Sequence, residues 1–168
     1  REQLPRRRTG EYRPGARYEN RKEAPALTIS VHRAEQVTKE LLDLGPAMVY
    51  IPLAELAAHP EKANAPAGTA IGVILPRIAW DREFPQMVED LGVKDALVGN
   101  LGMLQAARDL GFTLRGDFGL EVYNTQAVKE YKRLGLSSLT LSFELKLPQI
   151  RDISKSLDTE LITYGRLP

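Results

Sequence analysis

Leu134-Gly135-Leu136-Ser137-Ser138-Leu139-Thr140-Leu141-Ser142-Phe143 closes a helix-like stretch on Leu-Gly and opens a strand-like run within three residues. The same arrangement occurs at Leu44-Gly45, Leu91-Gly92 and Leu110-Gly111, followed by apolar runs over 48–53, 96–98 and 113–114. Each glycine stands where a helix would stop, because glycine enters the left-handed cap conformation without a Cβ penalty. A chain that repeats helix, glycine stop and short apolar strand is laying down βα units, and βα units build a parallel sheet.

Working outward from these stops, strands are expected over 27–31, 48–53, 70–75, 95–98, 113–118, 138–145 and 160–164. Helices are expected over 34–44, 54–58, 82–91 (capped by Asp81), 103–110 and 125–134, with a sixth whose first turn carries Pro148. Val37, Leu41 and Leu44 recur at the helical period, as do Phe84, Val88 and Leu91. Successive strands start 18 to 25 residues apart, close to the shortest βαβ step. The expected fold is therefore α/β, an incomplete TIM-like (β/α) barrel of about seven parallel strands and six helices. A closed barrel takes about 250 residues and one more unit, so the chain reads as a piece of a longer protein, truncated at its C-terminus.

The 168 residues suffice for one domain with a sizeable core, and 43% apolar with 27% charged residues is ordinary globular composition. No apolar run reaches the ~20 residues of a membrane span, and no signal segment opens the chain. The absence of Cys removes disulfides, thiol nucleophiles and thiolate-bound metal, which suits a cytoplasmic address. The net charge of +1 conceals an asymmetry, since residues 1–24 carry +4 and the rest −3. This Arg-rich stretch, with Tyr12 and Tyr18 and no apolar period, is expected to be an extended linker preceding a barrel-like domain over 25–168. It could also track the phosphates of an RNA.

Several chemistries are excluded, for there is no Gly-x-Ser-x-Gly elbow, His-Glu-x-x-His pair or Walker loop. His32 and His59 sit singly near helix starts, where solvation is the usual role. In a barrel, polar residues at the carboxyl ends of the strands face the active-site mouth. Those residues are Arg77, Asn100, Asp117, Glu144 and Tyr164, with Arg77, Asn100 and Tyr164 expected to bind substrate. Glu144 reads as an acid inside an apolar strand, which must be paired, hydrogen-bonded or protonated. An ion pair with Arg77 or Arg115, or hydrogen bonds to the next loop, would satisfy it as well as a functional role. Asn124 reads first as a helix cap.

The stretch Gly116-Asp117-Phe118-Gly119-Leu120-Glu121-Val122-Tyr123-Asn124, then Leu134-Gly135, then 139–150 (LTLSFELKLPQI), resembles the collagenase-like peptidase family. Residues 164–168 resemble the lead-in to that family's next segment. The resemblance implies a barrel-like βα fold and carries the matching polar positions Asp117, Asn124 and Glu144 across as candidate catalytic residues. It implies a peptidase by family name, or oxygen-independent hydroxylation of RNA as in related branches that carry an iron–sulfur cluster on four Cys. With no Cys here, such a cluster belongs to the full-length protein and not to these residues. Hydroxylation of RNA is the preferred expectation, because these residues offer no nucleophile–base pair for peptide cleavage. A genuine endopeptidase and a non-catalytic scaffold that docks the remaining part of the full-length protein are the alternatives. The isolated chain is expected to be inactive.

Overall fold

The computed structural model describes residues 24–78, Val88 and 91–165. Seven strands, β1 (Thr28–Ser30), β2 (Met48–Pro52), β3 (Ala70–Ile74), β4 (Asp95–Val98), β5 (Thr113–Gly116), β6 (Ser138–Thr140) and β7 (Asp158–Glu160), form one sheet in sequence order. Every neighbouring pair is parallel. The α-helices among the described residues are α1 (Lys39–Asp43), α2 (Leu53–Ala58), α3 (Leu101–Asp109), α4 (Thr125–Arg133) and α5 (Leu147–Asp152). The result is the expected incomplete α/β barrel. The helix expected over 82–91, with its Asp81 cap, lies outside the described residues apart from helical Val88 and buried Leu91. Residues 1–23 of the basic stretch also lie outside them.

The glycine stops behave as the repeat requires. Gly45, Gly92, Gly111 and Gly135 all have positive φ, between +66° and +90°. Gly111 and Gly135 donate their N–H groups to the carbonyls of Arg108 and Lys132, which closes α3 and α4. Each stop turns the chain back toward the next strand.

The strict alternation of side chains gives the sheet two unlike faces. Val49, Ile51, Ile71, Val73, Ala96, Val98, Leu114 and Leu139 are buried on the outer face, in one core with Leu56 of α2, Leu104 of α3 and Val128 of α4. On the inner face Met48, Tyr50 and Leu97 form a separate small cluster. The sheet curls enough for β7 to meet the opposite edge through side chains. Glu160 accepts hydrogen bonds from Thr28 of β1 (3.1 Å) and Tyr50 of β2 (3.2 Å).

Three expectations need correction. The helix expected over 34–44 is a 3-10 turn (Ala34–Gln36) followed by α1, because the Thr38 hydroxyl accepts the Leu41 N–H and starts a new helix. The sixth strand stops at Thr140 rather than running to 145. Its last bond to β7 is Leu141 N–H to the Glu160 carbonyl, after which Ser142 N–H turns to the Val122 carbonyl and Leu145 N–H folds back on Ser142. Glu144 therefore stands on an exposed turn, not in an apolar strand. The seventh strand covers 158–160 rather than 160–164, since β6 offers it no partner beyond Thr140. Tyr164 is thus off the sheet and 96% exposed.

Candidate active site at the barrel mouth

The carboxyl ends of β3, β4 and β5 bring Arg77, Asn100 and Asp117 together. Asn100 caps α3, its side-chain oxygen accepting the Met103 N–H at 2.9 Å, while its amide donates to the Arg77 carbonyl. Both ends of the carboxamide are thus engaged, and Asn100 acts on the mouth by holding the Arg77 backbone. A Cβ built on Gly99 would lie 3.6 Å from Asp117 Oδ2 and 3.7 Å from Arg77 Cγ, so the two side chains flank one bare stretch of backbone. Next to it a Cβ on Gly119 would come within 2.6 Å of the Gly99 carbonyl oxygen. Only glycine permits that approach of two mouth loops.

Asp117 follows β5 directly and accepts the Phe118 N–H at 2.8 Å. Burial raises its proton affinity above the ordinary carboxylate range; the Phe118 bond and the Arg77 charge oppose the rise, and Glu160 adds to it. The Arg77 guanidinium sits over the Phe118 ring, 4.9 Å from its centroid. Phe118 in turn meets Phe143 at 5.8 Å and 60°. A cation and two rings form a continuous shelf on the rim of the mouth, with Phe143 41% exposed.

Glu144 is set apart from the Arg77–Asp117 group and pairs with neither Arg77 nor Arg115. Its partner is the Tyr123 hydroxyl at 2.6 Å, which also lies 2.7 Å from Glu121. The Glu144 bond leads the causes that push the Tyr123 phenol up to about 12. Glu121 is the one described non-glycine residue with positive φ, at 54°. Asn124, adjacent in sequence, caps α4 by accepting the Ala127 N–H at 2.9 Å. Tyr164 joins neither group.

Set beside known proteins, the sequence matches the profile of Peptidase family U32 over residues 78–167, more than half of the chain. The chain belongs to this family. Its fold is similar to that of the U32 peptidase Mk0906, with a TM-score of 0.59 over 86% of this chain and 70% of that one. At 13% identity that likeness is one of fold. No curated protein matches the chain.

Below the mouth, the inner face of this U32 chain holds a polar network that the sequence reading missed. Arg115 Nε donates to Asp95 at 2.7 Å, and Arg115 also donates to the Ser138 hydroxyl at 3.2 Å. The Ser138 hydroxyl reaches Glu160 at 3.4 Å. Burial, then the Glu160 charge, raises the Tyr50 phenol far above its ordinary range. A signal was present in the polar positions 138, 140 and 142, which alternate with Leu139 and Leu141. Two-residue alternation of this kind assigns the polar set to one face.

Proposed function

We propose that this U32-family chain presents an RNA base at the barrel mouth for oxygen-independent hydroxylation, in a cytoplasmic enzyme. The Arg77–Phe118–Phe143 shelf carries the reading, because splayed-out bases are held by stacking on aromatic and guanidinium planes. The Arg-rich residues 1–24 would add phosphate contacts. Arg77 stacks, Phe118 and Phe143 form the platform, Asn100 positions Arg77, and Asp117 faces the bound group as a hydrogen-bond or proton partner.

The residues present do not fit an iron–sulfur cluster. The chain has no Cys, and among the described residues no group of three or more His, Cys, Asp or Glu could hold a metal. Ligands for a cluster would come from outside this chain. Among the described residues no helix is long and apolar enough to cross a membrane.

A genuine endopeptidase is the second reading, favoured by Asp117, a mouth carboxyl with raised proton affinity suited to acid–base work on water. Fluorescence anisotropy with labelled transfer RNA separates the two. Under the first reading RNA binds in a salt-dependent manner, Arg77→Ala weakens binding by about tenfold, and gelatin is untouched. Gelatin cleavage lost on Asp117→Asn or Glu144→Gln, without RNA binding, would establish the second.

A further inference from the structure

The least satisfied group inside the sheet is not at the mouth but on β6 and β7. Thr140 and Glu160 are register partners there, and both belong to the inner set that includes Ser138. Thr140 is 5% exposed, yet among the described residues its hydroxyl has no hydrogen-bond partner. Ser156 is the single described side chain whose polar atom is sealed without a partner, so the Thr140 hydroxyl, on the face it shares with Ser138, is not fully sealed. Beside it, Glu160 accepts from three neutral hydroxyls, those of Thr28, Tyr50 and Ser138. Among the described residues no cation pairs directly with it.

A carboxylate has about four lone-pair positions, so three O–H donors leave one. The charge inside the sheet is also unbalanced. Among the described residues Asp95 and Glu160 share one internal guanidinium, Arg115, which is already bound to Asp95, while Asp117 feels the charge of Arg77, exposed at the rim. We infer that the Thr140–Glu160 pair is a binding site for the primary ammonium group of a small molecule that enters through the barrel mouth. The ammonium donates one N–H to the remaining Glu160 lone pair and one to the Thr140 hydroxyl, and Asp117 adds attraction from the mouth side. A metal ion is a poorer occupant, for the described residues hold no cluster able to ligate one. The site is independent of RNA binding on the shelf.

Isothermal titration of the whole chain with n-butylammonium chloride tests this, with tetramethylammonium as a control that has no N–H. Alanyl-alaninamide and its N-acetyl form then show whether a peptide amino terminus or only a simple amine is accepted. The expected result is saturable binding of butylammonium and none of tetramethylammonium or the acetylated peptide. Thr140→Val, which removes a hydroxyl without a partner among the described residues and so spares the fold, should weaken binding about fivefold. Glu160→Gln should abolish it, with circular dichroism confirming that the variant folds. Equal response to tetramethylammonium, no binding of butylammonium, or an unchanged affinity in Thr140→Val would overturn the inference. Loss of RNA binding on Arg77→Ala bears only on the shelf.

Discussion

Leu139 is sealed on the outer face of the sheet, while Ser138 and Thr140 on either side of it turn inward beside Arg115 and Glu160. The same contrast runs through β4 and β5, where Ala96 and Leu114 pack outward and Asp95 and Arg115 pair inward. Barrels of this kind commonly fill their interior with branched apolar side chains. Here the outer face supplies the cohesion, and the inner face gives some of it up to polar groups that hydrogen-bond among themselves. Polar residues retained where apolar ones would pack as well point to a face kept for ligands.

The sharpest way to break that contrast is to cut into each face in turn. Leu139→Ala should cost about 2–5 kcal/mol of stability in a denaturant titration, because a fully buried leucine leaves a cavity between sheet and helices. A cost below that range would mean that the outer face is not the main core. On the inner face Asp95→Ala should cost about 1–3 kcal/mol by leaving Arg115 without its carboxylate. The double variant Asp95→Leu, Arg115→Met should recover most of that loss, since paired polar groups are replaceable by packed apolar ones. If it does not, the inner network is structural after all.

Asp117 gives a smaller effect with a definite pH dependence. Its folded carboxyl binds a proton more tightly than the ordinary value of 3.8, so the ionised form lowers stability above that range. The penalty fades as pH falls through the raised value and is gone below 3.8. Asp117→Asn should therefore raise the melting temperature at pH 7, and the difference from the parent should vanish near pH 3. A difference independent of pH would remove burial of the charge as its cause. The smallest effect belongs to Glu144→Gln, within about 0.5 kcal/mol at this exposed turn. Its signature is spectroscopic, for the Tyr123 phenol should titrate nearer its ordinary value of 10 than at about 12.

The architecture was legible because its punctuation is local. Each Leu-Gly stop, and the Asn124 cap, is decided within four residues, whereas the cap that Asn100 makes went unread. The extents of β6 and β7 were not, because they depend on where each runs out of a partner. The same holds for the site. Arg77, Asn100 and Asp117 follow from being the first polar residues past their strands. Glu160 does not, since its partners Tyr50 and Thr28 lie 110 and 132 residues away. Glu144 misled for a related reason: apolar neighbours suggested burial, but the carbonyl of Val122 draws the chain off the sheet first.

Every backbone pairing in the sheet joins strands that are consecutive in sequence. Such a sheet can grow one unit at a time, each step closing a short loop, as in an array of repeats. The bond from Glu160 to Thr28 spans the largest separation in that process and can form only after all seven strands are in place. That carboxylate therefore acts as a latch on assembly, and the inner polar network is complete only when β7 arrives.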